Sequence, residues 1–250
     1  MTAVPAWPPK SLPRLFVREK LAAGVHVALN TAQANYLGNV MRLGLGAQLL
    51  IFDGDSGEWL ARISDAAKKR MTLAVERRTR GAETIPDVWL AFAPVKRTQT
   101  DWLVEKATEL GAARLIPVIT RRTIAERVKL ERLEAISIEA AEQCGRTRLP
   151  EITDPQSLST LLERRDGARA LYFADEGGGE PAATALKGGP ALILIGPEGG
   201  FTEEERQSVR AAPNAVPISL GPRILRAETA ALAALAAYMA VAGDWRLIDP

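Results

Sequence analysis

The sequence predicts an α/β protein, a mainly parallel sheet covered by helices and preceded by a smaller β-barrel domain. Three observations predict it. From Val88 onward, apolar stretches of strand length alternate with longer helical patterns, as βα units in a parallel sheet do. Ahead of them lie several short strand-like stretches with one helix between them. Twice near the C-terminus an apolar strand runs into Gly-Pro and then a helix, which puts two loops at one edge of one sheet, where open α/β sheets bind ligands.

The elements follow in order. Residues 1–13 hold four prolines and no periodicity, which predicts a loosely packed arm. Arg14–Arg18 and Val25–Leu29 read as short strands, and 32–43 spaces Tyr36, Leu37, Val40, Met41 and Leu43 as a helix face. Gln48–Phe52, a DGDSG turn and Glu58–Ile63 form a hairpin, and Arg70–Glu76 alternates as a further strand. Arg77–Pro86, RRTRGAETIP, is polar and carries Gly and Pro; it marks a domain boundary, 1–80 against 81–250. Beyond it, Val88–Val95 is a strand, Asp101–Leu110 a helix ended by Gly111, and Leu115–Ile119 a strand. Glu126–Cys144 is a long helix ended by Gly145, and 168–174 is a strand leading to Gly177-Gly178-Gly179.

The next stretch is ALILIGPEGGFTEEE, residues 191–205. Five apolar residues suit a buried strand, and GPEGG continues neither strand nor helix. Thr202 is an N-cap with Glu205 completing a capping box, and Glu203 and Glu204 sit where the helix dipole favours negative charge. Bare backbone here lets a ligand approach peptide groups; the competing reading is a plain tight connection. ISLGPRILRAET, residues 218–229, repeats the strand-Gly-Pro turn and enters a helix of mostly Ala and Leu.

Composition narrows the function classes. Hydrophobic content of 47% with 25% charged residues suits a globular domain. No apolar run reaches membrane-spanning length, and the N-terminus lacks a secretory pattern, so a cytoplasmic location is expected. One cysteine and one histidine leave no metal site and no Cys-His catalysis to expect; Cys144 reads as a small packed residue and His26 as a strand residue. Charge is uneven: residues 1–85 carry 12 Lys/Arg against 7 Asp/Glu, and 151–250 carry 9 against 14. A basic front suggests an anionic partner, although charge asymmetry can also be incidental.

The two glycine-proline motifs together resemble the RsmE family of SPOUT-class RNA methyltransferases. LILIGPEGGFTEEE at 192–205 and LGPRILRAETAALAAL at 220–235 carry the resemblance, supported upstream by EQCGR at 142–146 and EKATELG at 105–111. It implies a C-terminal SPOUT-like domain with a trefoil knot, which periodicity does not suggest, and an N-terminal PUA-like RNA-binding domain. The implied activity is S-adenosylmethionine (SAM)-dependent methylation of uridine N3 in small-subunit (16S) ribosomal RNA, a step of rRNA processing in ribosome biogenesis. A homodimer is implied as well. Two departures stand out: Tyr36 where a histidine is common, and VKRTQT after Pro94 without a usual glycine.

Carried onto this chain, the resemblance places the cofactor at Ile195, Gly196, Pro197, Glu198, Gly199 and Gly200, and at Leu220, Gly221, Ile224, Leu225 and Thr229. Ile195 and Leu220 would wall the adenine. Glu198 and the acidic helix behind it suit a sulfonium better than a polyphosphate. Arg226 would stabilise charge developing on the uracil oxygens, with Glu228 orienting Arg226 or touching the base. A plain exposed arginine is the competing reading for Arg226, but a cation at a helix start is opposed by the dipole and needs another reason. Arg14, Arg18, Arg42, Lys68, Lys69, Arg70, Gln143 and Arg146 are the RNA-contact candidates, against the reading of 68–70 as a solvated turn. The rival functions are a noncatalytic RNA-binding protein that keeps the fold and a nucleotide-binding hydrolase. The second lacks GxxxxGK[ST] and GxGxxG.

Overall fold

The structure, a computed structural model, describes residues 12–67, 70–124 and 128–245. The start of the proline-rich arm, Lys68, Lys69 and the first positions of the expected 126–144 helix lie outside the described residues. Contacts divide the chain into two compact units: residues up to Thr84 together with Ala141–Leu149, and Ile85–Ala140 together with Pro150 onward.

The first unit is a five-stranded sheet of β1 (Arg14–Phe16), β2 (His26–Ala28), β3 (Gln48–Phe52), β4 (Glu58–Ala67) and β5 (Arg70–Arg80), in the order β1-β3-β4-β5-β2. Only β1 and β3 run parallel. The ladder runs with β1 and β2 at its two ends. Register shifts between β4 and β5 bend that pair. Alternate residues point inward, and Leu49, Ile51, Ile63 and Leu73 are fully buried with Leu37.

The helix expected over 32–43 is shorter and irregular. Helix α1 (Thr31–Asn35) begins with a capping box between Asn30 and Gln33. It passes into a π-helical turn, Tyr36–Val40, and then Arg42 at φ 55. Gly38 lies inside that turn, where glycine weakens a regular helix.

In the second unit all described strand pairings are parallel. The strands are β6 (Val88–Phe92), β7 (Arg114–Ile119), β8 (Glu151–Ile152), β9 (Gln156–Ser157), β10 (Ala170–Ala174), β11 (Glu180–Pro181), β12 (Ala191–Ile195) and β13 (Ala215–Ser219). The order is β11-β13-β10-β12-β6-β7-β8, with β9 also on β7. Helices α2 (Arg97–Glu109), α3 (Leu130–Cys144), α4 (Leu158–Arg164), α5 (Ala182–Ala185), α6 (Glu203–Arg210) and α7 (Ala227–Val241) accompany it. Strand β12 shows why the run ALILI is continuously apolar. Ile193 and Ile195 join one core with α2 and α7, and Leu192 and Leu194 join another with α4 and α6. A strand covered on both faces cannot alternate, and each such side chain stabilises by about 1.5–3 kcal/mol.

At the amino-terminal edge of this sheet the charges are paired. Arg169 donates to the Asp87 carboxylate at 2.7 and 3.0 Å and to the Ala191 carbonyl at 3.2 Å. Arg114 pairs with Glu151. The Trp89 ring is flanked by both cations, with guanidinium carbons 3.8 Å (Arg114) and 3.7 Å (Arg169) from its centroid. Hydrogen bonds from Arg169 hold the Asp87 carboxyl below its ordinary value.

Candidate functional site

Strands β12 and β13 both run parallel to β10, which lies between them. The loops Gly196–Gly200 and Leu220–Arg226 therefore leave the same edge of the sheet, on either side of the loop after β10. That middle loop is tied down by Asp175, whose buried carboxylate accepts from Arg210 at 2.6 Å. It also approaches the first motif closely. Gly200 sits at φ 66, and a Cβ there would meet the Glu176 carboxylate at 3.1 Å, so both backbone and space favour glycine.

The expected capping box is present: Thr202 Oγ1 accepts from Glu205 N at 3.2 Å, and Glu205 Oε2 accepts from Thr202 N at 2.9 Å. Its other carboxylate oxygen accepts from Arg121 N at 2.8 Å, so the loop after β7 is locked onto the glycine motif. Arg122 adds a second lock, donating to the Gly199 carbonyl at 2.7 Å and to that of Phe201 at 3.4 Å. Hydrogen bonds to its own backbone and to Thr202 keep the Glu204 carboxyl below the usual range, and Arg121 and Arg122 add to the effect.

Among the cofactor candidates, Glu198 and Gly199 are exposed, Gly196 is half-buried, and Pro197 and Gly200 are buried. Ile195 is 3% exposed and packs into the main core, so little of it is left to wall a ligand. Leu220 and Leu225 keep half-open faces, Gly221 and Thr229 are exposed, and Ile224 stands 96% exposed. Arg226 is the exposed N-cap of α7, has no capping side-chain hydrogen bond, and makes no ion pair among the described residues. Glu228 is the opposite case. It is 8% exposed in the first turn of α7, and its Oε2 is buried with no hydrogen-bond partner among the described residues. A buried carboxylate oxygen left unpaired is costly, so this one is placed to accept from a bound donor.

The sequence reading missed a cavity of about 490 Å³ in this unit. Its walls come from Pro94–Arg97 after β6, from Arg122 and Ile124 after β7, from the start of α3, and from Pro197 and Glu198 of the first motif. No residue of the second motif lines it. The available signal was three cationic pairs or singles, Lys96-Arg97, Arg121-Arg122 and Lys129, just beyond the carboxyl ends of parallel strands.

The RNA-contact candidates all fall in the first unit, and the structure separates them. Arg14 is corrected: its side chain is 4% exposed and every donor group points at protein. It bonds Glu58 Oε2 at 2.8 Å and the carbonyls of Ala141, Glu142 and Arg146 at 2.6, 3.0 and 2.7 Å. It therefore caps the carboxyl end of α3, where a cation complements the dipole. Arg146 is corrected for the same reason, being 5% exposed and facing Glu83. Arg18, Arg42, Arg70 and Gln143 are exposed. Cys144, expected to be packed, is exposed too. Among the described residues no cluster could hold a metal ion, and no helix is long and apolar enough to cross a membrane.

The RNA methyltransferase domain profile matches residues 83–239, and the RNA methyltransferase PUA domain matches 29–76. A ribosomal RNA small subunit methyltransferase E from Synechocystis is 36% identical over 231 residues, covering 89% of this chain and 76% of that one. The enzyme of that name from Rickettsia conorii is 32% identical over 229 residues, 89% of this chain and 93% of its own. The chain belongs to the small-subunit ribosomal RNA methyltransferase E family. A crystal structure of the Neisseria gonorrhoeae member bound to S-adenosyl methionine superposes with a TM-score of 0.86 at 27% identity, covering 94% of this chain and 99% of that one. The family assignment covers both units, the β unit as its PUA domain and the parallel-sheet unit as its methyltransferase domain.

Proposed function

We propose that this chain methylates N3 of a uridine in small-subunit ribosomal RNA, with SAM as methyl donor. The observation that carries it is Glu228: a buried carboxylate oxygen without a hydrogen-bond partner among the described residues, in the turn that follows the second glycine-proline loop. The residues fit the cofactor. A cationic donor with hydroxyl and ammonium groups supplies what Glu228 lacks, and the open backbone of Gly196, Gly199, Gly200 and Gly221 admits an adenine edge. Half-open Leu220 and Leu225 offer it apolar contact. When bound, SAM supplies a methyl group on a sulfonium for in-line transfer.

The chain's own contribution is chiefly positional, and positioning alone can supply about 7–11 kcal/mol. Arg226, with no ion pair among the described residues and held at the head of α7, stabilises negative charge on the uracil oxygens as N3 loses its proton. Glu228 acts beside it, holding donor groups of the cofactor or orienting the base. Arg121 and Arg122 keep the first loop in place. In the first unit, exposed Arg18, Arg42 and Arg70 meet phosphate, and Gln143 lies beside them in the candidate set.

The same reading makes the parallel sheet a trefoil-knotted SPOUT domain acting in the cytoplasm as a homodimer, with the half-buried Leu232 and Ala236 side of α7 at the interface. The deciding experiment is transfer of labelled methyl from SAM to small subunits from a strain lacking the gene, followed by mass spectrometry of the rRNA. N3-methyluridine is expected. RNA binding without any transfer would reveal a binding protein instead.

A further inference from the structure

The cationic cavity has no assigned role. Five cations line it: Lys96, Arg97, Arg122, Lys129 and Arg132. Two acids face them, Asp101 and Glu198. Part of this charge is already satisfied. Arg132 grips Asp101 through both carboxylate oxygens at 2.6 and 2.9 Å, and Arg122 is held on the glycine loop's carbonyls. Lys96, Arg97 and Lys129 make no ion pair or side-chain hydrogen bond among the described residues. Lys96 is also the N-cap of α2, and no acidic residue occupies that helix's first turn. The dipole there adds to the positive field instead of being offset.

The remaining lining is apolar apart from Thr100, with Pro94, Val95, Val128, Leu133 and Pro197 among it. An apolar floor under a rim of unpaired cations matches a nucleotide, whose base stacks on carbon while its phosphates meet the rim. At about 490 Å³ the cavity lies in the range of small-ligand sites. Polyphosphate fits worse, because the Glu198 carboxylate lies among the lining residues. Pro197 and Glu198 belong at once to this cavity and to the glycine motif, so a base seated here lies against the cofactor loop.

We propose that the cavity lined by Lys96, Arg97 and Lys129 seats a nucleotide of the single-stranded RNA substrate, separately from the methyl donor. The proposal rests on the reading of the chain as an RNA methyltransferase. Its test compares the full wild-type chain with K96A/R97A/K129A, whose three sites are exposed. Labelled oligouridylate is titrated over a range of salt, SAM binding is measured by calorimetry, and thermal melting checks folding.

The triple variant is expected to bind SAM within about twofold of wild type, while oligouridylate affinity falls at least about tenfold and the log-log salt slope drops by about 2 for three lost phosphate contacts. V128W, which fills the floor without changing charge, is expected to weaken oligouridylate binding with the salt slope unchanged. Wild-type oligouridylate affinity in both variants would overturn the seat, as would a loss of SAM binding matching the loss of RNA binding. Inorganic phosphate competing as well as a uridine nucleotide would reduce the cavity to a generic anion site and overturn the nucleotide assignment. A wild-type chain that neither binds oligouridylate nor methylates small-subunit rRNA would sink the methyltransferase reading itself. Methyl transfer that proceeds normally in the triple variant would sink only the cavity.

Discussion

The two edges of the parallel sheet are built from similar residue types and do opposite things. At the amino edge every charge is matched: Arg169 with Asp87, Arg114 with Glu151, and both guanidiniums against Trp89. Among the described residues at the carboxyl edge, Lys96, Arg97, Lys129 and Arg226 make no ion pair, and Glu228 buries an oxygen without a hydrogen-bond partner. A saturated cluster is already at its low-energy arrangement and can only hold strands together. An unsaturated one costs stability until something binds, and that cost is what a ligand recovers on arrival. The difference separates charges that maintain the sheet from charges that recognise a partner.

The comparison can be broken at either edge. The largest effect is expected from Arg226→Ala, which should lower methyl transfer about 10²–10³-fold, the usual loss for one positioned donor. SAM affinity should stay near normal by calorimetry. Near-normal turnover would return Arg226 to an ordinary surface arginine. Next comes Glu228→Gln, where the two readouts should move in opposite directions. SAM affinity should weaken by roughly 10- to 150-fold, matching the ~1.5–3 kcal/mol of a hydrogen bond to a charged group. Removing a buried unpaired charge should leave the thermal midpoint of the free protein unchanged or raise it. A lower midpoint would mean that Glu228 is already satisfied.

At the other edge, Arg169→Ala should reduce unfolding free energy by about 2 kcal/mol through lost charge-assisted hydrogen bonds, measured by urea titration. SAM binding should not change. The smallest effect concerns Asp87. Its carboxyl titrates below the ordinary 3.8 in the folded chain, so its ionised form contributes stability above that value and loses it as pH falls through the lower folded value. The difference in melting temperature between wild type and Asp87→Asn should therefore be largest near neutral pH and shrink below about pH 4. A constant difference across that window would show that the carboxylate's charge is not what matters.

Local pattern made much of this edge legible. The capping box at Thr202 and Glu205, the buried run ALILI and the glycine helix ends at Gly111 and Gly145 need only neighbours in sequence to be recognised. What escaped depends on distant partners or on very short elements. Arg14 reads as a cation in a strand, free for phosphate, until the chain returns more than a hundred residues later to offer two helix-end carbonyls and a third just past the helix. The two-residue strands β8, β9 and β11 are too short to show any period. Helix α4 had a readable start, since Ser157 caps Thr160, but it follows directly on one of those strands. The cavity was visible only as scattered basic residues, because three loops from distant parts of the sequence must meet before it exists.

The cap that Arg14 places on the end of α3 bears on how this protein can be cut. A fragment ending at Thr84 would strand the buried Arg14 guanidinium with its carbonyl partners gone, since Ala141–Leu149 completes that unit. A fragment beginning at Ile85 would leave the same carbonyls without their cation. Neither half is a portable module, so recombination or domain grafting at this linker should yield insoluble pieces, whereas a graft carrying 141–149 along with the β unit should not.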